Sequence, residues 1–522
     1  MNSTVKPEYG DIKAAATAVG YLMIMLGAII LVPLFMLIPH PEEVYQAPCF
    51  ILPGVLSIFT GYLIKLFTGP SRFTHLKQHS GSLIVLAIWL VSSLIGSIPF
   101  LLTGEFNFSQ AMFESISGFT TTGFTVTDVA NATSLILLYR SMLHLVGGVG
   151  LVLVMTSILS DVYGMQLFSA EGHTDRLTPN PLHSARTILS IYLGFIIGGT
   201  VLYTFFGMSL FDAVNYSISA VATGGFSTDP SSIGTYNSVP INITSMVLML
   251  LGGTNFMASM YFLKGRWSGF FGHVEVRCTA ILIGITAPIV TVMLLVNGIS
   301  NTIPDAIDHA CFQVISILTT TGLSTIDDFL PRASFALFPL VLLMFVGGHS
   351  DSTAGGLKSY RAALAAKSIG WDVRENLTHP RITYSKKISR FGKQEPVSSK
   401  EQSQNYTYIF LYLGIVFLGT FGLCLCGYSF RDSFVEFSSA LGTVGMSIGI
   451  VSRTTGAPAL WILMIGMLLA RLEVYIIIFG FARLAMDVRD IHRRRKYAPK
   501  HRIKKKKIKN RKKIEKEVLD FE

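Results

Sequence analysis

Residues 117–125 read SGFTTTGFT and place three consecutive threonines before a glycine, inside an otherwise strongly apolar region. The pattern S-x-x-x-T-x-G-[FLM]-[ST] occurs three more times, as SAVATGGFS (219–227), SILTTTGLS (316–324) and SALGTVGMS (439–447). The last glycines of the four copies are 102, 97 and 123 residues apart, and a polar insert at 372–404 accounts for the longest interval. Self-similarity at a nearly fixed period is typical of repeat proteins. The sequence therefore predicts four copies of one structural unit.

The composition is that of an integral membrane protein. Of the 522 residues, 50% are hydrophobic and 14% are charged, whereas soluble domains carry about 25% charged residues. The first apolar run, at 16–39, is too long for a cleavable signal peptide, and no small-residue cleavage site follows it. The five cysteines lack metal-ligand spacing and are expected in the membrane core rather than in disulfides; they are Cys49, Cys278, Cys311, Cys424 and Cys426.

Ten apolar segments are long enough to cross a bilayer, which takes about 20 residues. They lie at 16–39, 48–69, 82–103, 134–159, 186–207, 240–263, 279–299, 336–368, 405–427 and 459–482. A shorter piece of about a dozen residues precedes each T-x-G sequence, and a helix of that length cannot span. The predicted fold class is therefore an all-α integral membrane protein. It has four parallel helix–pore loop–helix repeats around a pseudo-fourfold pore, plus two extra N-terminal transmembrane helices.

The repeats and polar segments divide the chain into seven parts. These are an N-terminal two-helix membrane segment (1–75), pore repeat 1 (76–165), pore repeat 2 (166–268), pore repeat 3 with a broken last helix (269–371), a cytoplasmic linker (372–404), pore repeat 4 (405–490) and a basic cytoplasmic tail (491–522).

The net charge of +11 is concentrated in a few segments. Of the 42 lysines and arginines, 37 lie in the N-terminus, in the tail after residue 482, or at 65–80, 160–187, 264–277 and 358–404. The positive-inside rule places these segments, and both termini, in the cytoplasm of a multi-pass protein of the plasma (inner) membrane. The lysine-rich tail is interpreted as a solvated anchor that contacts anionic lipid. No nucleic acid is expected as a partner, although a lysine run alone is compatible with either anionic lipid or nucleic acid.

Four parallel T-x-G loops around one axis predict a ring of backbone carbonyl groups that replaces the hydration shell of a cation. Irregular backbone at membrane depth is tolerated only where it lines a cavity or is buried in protein. Glycine allows the backbone angles such a loop needs. The predicted filter residues are Thr121, Thr122 and Gly123, then Thr223, Gly224 and Gly225, then Thr320, Thr321 and Gly322, and finally Thr443, Val444 and Gly445. The nearby acidic residues Glu114, Asp212 and Glu436 are interpreted as helix caps or residues outside the filter, with a deepened negative field as the alternative.

Four further motifs carry a resemblance to a known family. They are HLVGGVG (144–150), LGGTNF (251–256), GGHSDSTAGGLK (347–358) and LLARLEVY (468–475). Together with the filter loops they resemble the Trk/Ktr/HKT superfamily of potassium transporters over about residues 10–490, and the two extra N-terminal spans match its TrkH-type branch. The resemblance implies potassium uptake through the filter, with potassium as the transported ion and a glycine in all four loops as the potassium-selective pattern.

The resemblance also implies a gate on the cytoplasmic side of the filter. Its expected residues are Gly347, Gly348, Ser350, Asp351, Gly355, Gly356 and Arg471. Glycines destabilise a helix and charged residues are costly at membrane depth, which favours a flexible obstructing loop in the eighth span. The alternatives are small-residue helix packing for the glycines, and pairing of Arg471 with Glu473 or with a helix-packing partner. Members of the superfamily usually have a small residue where this chain has Asp351.

The remaining expectations concern partners and chemistry. The resemblance implies a homodimer and a separate cytosolic TrkA-type nucleotide-binding ring, for which the basic surface at 358–404 is a docking candidate. The chain has no P-loop or G-x-G-x-x-G motif and is expected to bind no nucleotide itself. A potassium–sodium or potassium–proton coupled symporter of the same fold is the alternative function. GMSIG (445–449) matches the G-x-S-x-G nucleophile elbow, but that motif needs an α/β-hydrolase sheet, so no enzyme is expected.

Overall fold

The structure, a computed structural model, describes residues 9–68, 78–151, 181–379 and 385–472, together with residues 474 and 489. Within this part the elements are helices, apart from one β-hairpin. The first two are α1 (Tyr9–Leu31) and α2 (Ala47–Thr68), connected by the 3-10 helices Val32–Leu37 and Pro41–Gln46. Residues 1–8 and most of the tail lie outside the described residues.

Helices α1 and α2 pack against each other through glycines. Gly20 faces the backbone of Gly61, and Gly27 faces that of Gly54, so the two helices run antiparallel. Small residues let helix backbones approach closely where lipid removes the hydrophobic driving force between helices. Ser57 adds a hydrogen bond of 2.8 Å from its Oγ to the carbonyl oxygen of Met23.

The repeats follow in chain order. The first comprises α3 (Gln78–Leu102), α4 (Phe108–Phe119) and α5 (Ser134–Val149). The second comprises α6 (Pro181–Phe205), α7 (Leu210–Val221), a 3-10 helix (Ser232–Tyr236), α8 (Val239–Gly252), α9 (Phe256–Leu263) and α10 (Trp267–Phe271). The third comprises α11 (Val274–Val296), α12 (Ile303–Leu318), α13 (Phe329–Arg332), a 3-10 helix (Ser334–Ala336), α14 (Leu337–Val346) and α15 (Ser359–Leu377). The fourth comprises α16 (Ser399–Leu425), α17 (Phe430–Gly442) and α18 (Ala457–Arg471).

The short helices α4, α7, α12 and α17 all begin with a side-chain cap, in which an Asn, Ser or Thr accepts a hydrogen bond from the backbone N–H three residues later. The capping residues are Asn107, Ser209, Thr302 and Ser429. Such caps satisfy N–H groups that have no partner within the helix. Asp212 belongs to the second cap, where it accepts hydrogen bonds from the hydroxyls of Ser209 and Thr228, both at 2.6 Å.

The four repeats contact one another in a closed order. The helix that follows each T-x-G sequence packs against the short helix of the next repeat. The pairs are α5 with α7, α8 with α12, α14 with α17, and α18 with α4. The short helices are thereby held side by side around a common centre. Two large clusters of buried apolar side chains fill the space between the helices.

Six of the ten predicted spans are single helices long and apolar enough to cross a membrane: α1, α2, α3, α6, α11 and α16. The predicted span at 240–263 is not one straight helix: α8 and α9 are together long and apolar enough to cross a membrane, but they are bent by 118° at the break between them. Gly252 packs directly on the carbonyl oxygen of Val221, and the Asn255 side chain caps α9, so the chain stops one helix and starts another. The segments α5, α14 and α18 are shorter apolar helices, and residues 152–159 and 475–482 of the predicted spans lie outside the described residues.

The polar insert 372–404 contains an antiparallel hairpin, β1 (Lys387–Arg390) and β2 (Lys393–Pro396), with Lys387 opposite Pro396 and Arg390 opposite Lys393. The hairpin packs on the start of the third repeat: Ser389 donates to the carbonyl oxygen of Gly272 at 2.6 Å, and the Phe391 ring stacks on Tyr261. The basic segments 264–277 and 358–404 therefore lie together, and we call this side of the molecule the basic face.

Candidate ion-binding site

Each T-x-G sequence forms a loop at the C-terminus of a short helix; we number these loops 1 to 4 in chain order. Two positions in every loop have left-handed backbone. The threonines Thr121, Thr223, Thr320 and Thr443 have φ of 53°, 51°, 55° and 52°, and the glycines Gly123, Gly225, Gly322 and Gly445 have φ of 88°, 82°, 81° and 79°. Successive residues of an ordinary strand alternate in direction, and left-handed residues at every second position break that alternation. The same unusual conformation thus recurs four times.

The four glycines join the loops into a ring. A methyl group added at Gly123 would overlap the carbonyl oxygen of Gly224 in loop 2. The same relation holds from Gly225 to Thr321, from Gly322 to Val444, and from Gly445 back to Thr122. Each filter glycine therefore lies against a backbone carbonyl of the next loop, and the series closes after four steps. Eight of the twelve residues predicted for the filter make these contacts, and the other four, Thr121, Thr223, Thr320 and Thr443, directly precede them in the chain.

In loops 1 and 3, the first serine of the repeated pattern braces its own loop. Ser117 Oγ donates to the carbonyl oxygen of Phe124, and Ser316 Oγ donates to that of Leu323, both at 2.6 Å. Each bond connects the short helix to the residue just after the filter glycine. In loops 1 and 3 the serine therefore fixes the far end of the loop, a role that the sequence did not suggest, whereas the hydroxyls of Ser219 and Ser439 in loops 2 and 4 are buried without a hydrogen-bond partner among the described residues.

Loop 2 departs from loops 1 and 3 by having Gly224 where they have threonine. The imidazole of His144, on α5, occupies the space that a side chain at Gly224 would need. The same ring stacks on Phe226 with the ring centroids 4.1 Å apart. His144 lies in the quoted motif HLVGGVG, but its contact with loop 2 was not predicted.

The acidic residues Glu114 and Glu436 lie nine positions before Gly123 and Gly445 and are completely buried. Both hold the segment that follows their loop. Glu114 accepts from Thr125 Oγ1 at 2.8 Å and from Val126 N at 3.0 Å, and Glu436 accepts from Ser447 Oγ at 2.6 Å. These hydrogen bonds place both carboxylates behind the loops, in agreement with their interpretation as residues outside the filter.

The segment 347–358 lies against the ring from the side of the short helices' C-terminal ends. Its Gly355 N–H donates to Thr320 Oγ1 at 2.9 Å, and Thr353 Oγ1 accepts from Thr223 Oγ1 at 3.1 Å. A methyl group at Gly355 would overlap Thr443 Oγ1. The segment therefore touches loops 2, 3 and 4.

The segment is a folded loop rather than a helix. Gly347 and Gly356, with φ of 66° and 78°, pack directly against each other. The Leu357 N–H donates to the Phe345 carbonyl oxygen at 2.9 Å, which closes the base of the loop. Ser350 is held from the basic face, because its N–H donates to Glu275 Oε1 at 2.8 Å. Asp351 and Gly348 complete the loop, and the Asp351 carbonyl oxygen accepts from Phe256 N at 3.3 Å.

Arg471, at the end of α18, reaches the same segment. Its guanidinium donates to the carbonyl oxygen of Thr353 at 2.8 Å, to that of Gly148 at 2.9 Å, and to that of Gly147. It thereby connects the segment 347–358 to the end of α5 in the first repeat. Glu473, the alternative partner considered from the sequence, lies outside the described residues.

Sequence reasoning missed several residues of this site. Thr353 lies within GGHSDSTAGGLK, yet its two contacts with the ring and with Arg471 are not visible in the motif. Glu275 is the second residue of α11, and its Oε1 also accepts from Tyr360 N at 3.1 Å. Of the missed residues, Arg140 on α5 had the clearest signal in the sequence, since an arginine buried in a membrane segment needs a partner. Among the described residues, no group of three or more His, Cys, Asp or Glu side chains forms a metal site.

The sequence model of the TrkH family, described as a cation transport protein, matches residues 51–487 of this chain. The Trk system potassium uptake protein TrkH of Halomonas elongata is 31% identical over 479 residues, covering 88% of this chain and 96% of that protein. TrkH of Escherichia coli K12 is 32% identical over 425 residues, covering 78% and 86%.

A solved structure gives the same result. The crystal structure of the potassium transporter TrkH from Vibrio parahaemolyticus superposes with a TM-score of 0.78 at 26% identity, covering 90% of this chain and 98% of that one. The resemblance inferred from the four motifs is therefore confirmed. This chain belongs to the TrkH family of cation transport proteins.

Proposed function

We propose that this chain takes up potassium ions across the plasma membrane through a filter of backbone carbonyl groups formed by loops 1 to 4. The observation that carries the proposal is the closed ring in which each filter glycine packs on a carbonyl of the next loop. A ring of carbonyls without a carboxylate in it suits a dehydrated monovalent cation. Four short helices direct their partly negative C-terminal ends toward the same centre. Relatives named as potassium uptake proteins support the choice of ion.

The segment 347–358 and Arg471 are proposed to act as the gate. The segment contacts three of the four filter threonines, and Arg471 holds it through the Thr353 carbonyl. An ion leaving the filter on this side would meet the buried loop and a fixed positive charge. Asp351 contributes a negative charge near Glu275 and Lys358.

The proposed orientation follows from the distribution of charge, and the homodimer and the cytosolic ring are what the family resemblance implies. The basic face is proposed to be cytoplasmic, with both termini on that side. A homodimer and a cytosolic TrkA-type nucleotide-binding ring remain proposals, as does contact of the basic tail with anionic lipid. Nucleotide control would act through the ring, since this chain is proposed to bind no nucleotide.

The test is rubidium and potassium flux into proteoliposomes that contain the purified full-length protein, with sodium as competitor. Gly123→Ser is measured in parallel, because a side chain at this position overlaps the Gly224 carbonyl and distorts the ring. We expect flux that resists sodium in the wild type, and a potassium-over-sodium preference reduced about tenfold in Gly123→Ser.

Flux into proteoliposomes that contain Arg471→Ala is the control for a wild type whose proposed gate is closed. Absence of potassium flux in both the wild type and Arg471→Ala would contradict the proposal. Flux that requires a sodium or proton gradient would instead identify the coupled symporter.

A further inference from the structure

One buried ion pair lies beside the ring. Glu114 on α4 and Arg140 on α5 are 0% and 1% exposed, and Arg140 Nε donates to Glu114 Oε1 at 2.8 Å. Burying two charges costs several kcal/mol of desolvation for each, so a buried pair is weak evidence for a stabilising role. Its neighbours indicate what else it does.

The pair connects equivalent points of loops 1 and 2. Glu114 Oε1 accepts from Thr125 Oγ1 at 2.8 Å, and Arg140 Nη1 donates to the carbonyl oxygen of Ser227 at 3.1 Å. Thr125 and Ser227 each lie two residues after the filter glycine of their loop. A continuous chain of charge-assisted hydrogen bonds therefore joins the ends of two neighbouring filter loops.

A second set of contacts on the same helix holds loop 2. Arg140 and His144 are one turn apart on α5 and so share a face. The Arg140 guanidinium lies 4.1 Å from the centroid of the Phe226 ring, and the His144 ring stacks on Phe226 at the same centroid distance. Phe226 directly follows Gly225, so α5 fixes loop 2 at and just after its filter glycine.

We propose that Glu114 and Arg140 form a positioning pair that sets the potassium-over-sodium preference by fixing the spacing of loops 1 and 2. This inference rests on the proposed function of the ring as a potassium filter. The pair also keeps the local charge balanced, because the guanidinium would otherwise stand as an uncompensated cation close to the ion path.

Three variants separate these effects. Glu114→Gln leaves the buried arginine uncompensated, so both potassium affinity and the preference over sodium are expected to fall about tenfold. Arg140→Gln breaks the link to Ser227 and leaves a buried carboxylate, which attracts a cation, so the preference is expected to fall without a loss of potassium affinity. The double variant removes both charges, and its potassium affinity is expected to recover toward wild type while its preference stays low. This recovery is a readout that a purely structural role would not produce.

Glu436→Gln is the matched control. Glu436 occupies the corresponding position of repeat 4 and accepts from Ser447 Oγ, from Ile448 N at 2.8 Å and from Val451 N at 3.0 Å, all in its own repeat. Its replacement removes a buried carboxylate without leaving an arginine uncompensated. We expect it to change potassium affinity by less than about threefold.

The experiment is calorimetric titration of potassium chloride and sodium chloride into each purified, monodisperse full-length variant, which needs no open gate. The inference is overturned if Glu114→Gln and Glu436→Gln are indistinguishable, or if the double variant binds potassium no better than Glu114→Gln. A wild type that does not prefer potassium over sodium would refute the proposed function itself. A wild type with that preference, together with unaffected Glu114→Gln and Arg140→Gln variants, would refute the positioning pair alone.

Discussion

At the scale of single residues, the threonine two positions before each filter glycine carries the most unusual feature of the site. Left-handed backbone costs a residue with a side chain roughly 1–2 kcal/mol, yet Thr121, Thr223, Thr320 and Thr443 all adopt it. Four such residues persist only because their surroundings fix them. The helices behind the loops, the serine braces and the contacts from the segment 347–358 supply that constraint.

Arg471 provides the prediction at this scale. Its guanidinium donates to carbonyl oxygens of Thr353, Gly147 and Gly148, and hydrogen bonds from a charged donor contribute roughly 1.5–3 kcal/mol each. Arg471→Ala is therefore expected to release the segment 347–358 and to raise rubidium flux in proteoliposomes about tenfold or more. The preference for potassium over sodium should be unchanged, since these three hydrogen bonds hold the segment 347–358 and the end of α5.

Arg471→Lys separates the tether from the charge. Lysine keeps the positive charge but cannot donate to three carbonyls from one planar fork. We expect flux between that of the wild type and that of Arg471→Ala. Equal flux in all three proteins would contradict a gating role for this residue.

The sequence alone predicted which residues of the ring lie together because their motif occurs four times. The T-x-G positions recur four times, so their joint position in one ring could be inferred before any coordinates. The pairing of Glu114 with Arg140 could not, because it depends on how α4 and α5 face each other. The hydrogen bonds of Thr353 depend in the same way on a loop that returns through tertiary contacts.

At the scale of elements, hydropathy predicted where apolar segments lie but not where they break. The segment 240–263 is apolar throughout, yet it bends by 118° after Gly252. The cause is a tertiary contact between Gly252 and the Val221 carbonyl, followed by the Asn255 cap. The break at 347–358 was predicted because glycines and charged residues mark it in the sequence itself.

Helix packing gives a prediction with a matched control. A methyl group at Gly27 would lie 2.5 Å from the Gly54 carbonyl oxygen and 2.7 Å from Ile58 Cγ1, whereas a methyl group at Gly198 on α6 meets no heavy atom within 4 Å. Gly27→Ala should therefore separate α1 from α2 and lower the thermal unfolding midpoint by several degrees, corresponding to about 1–3 kcal/mol. Gly198→Ala should leave the midpoint unchanged or slightly higher, because alanine favours helix over glycine. The measurement is thermal unfolding of the detergent-purified proteins, and equal midpoints would contradict close packing of α1 and α2.

At the scale of the whole molecule, the segment 347–358 connects the ring with the basic face, because Gly355 donates to Thr320 of loop 3 and Ser350 donates to Glu275. The hairpin β1–β2, the start of α11 and the start of α15 meet on the basic face through Ser389, Glu275 and Tyr360. The fourth loop is followed by Arg453, whose carbonyl oxygen accepts from Gln110 Nε2 at 2.8 Å. Arg453 lies four residues before the start of α18, and Arg471 is the last of the helix's 15 residues, so the helix places them about 22 Å apart along its axis. We therefore expect the basic segments at one end of the molecule and the entrance to the proposed filter at the other.

This arrangement predicts the orientation of the protein in the cell. Glu375, whose side chain is 62% exposed and paired with Lys386, lies on the basic face, while Arg453 is exposed and precedes the N-terminal end of α18. In right-side-out vesicles, a membrane-impermeant maleimide should label Arg453→Cys but not Glu375→Cys, and permeabilised vesicles should label both. The background labelling of the native cysteines, of which Cys426 is exposed, is subtracted with the wild type. Labelling of Glu375→Cys in sealed right-side-out vesicles would place the basic face outside, and the gate would then face the medium rather than the cytoplasm.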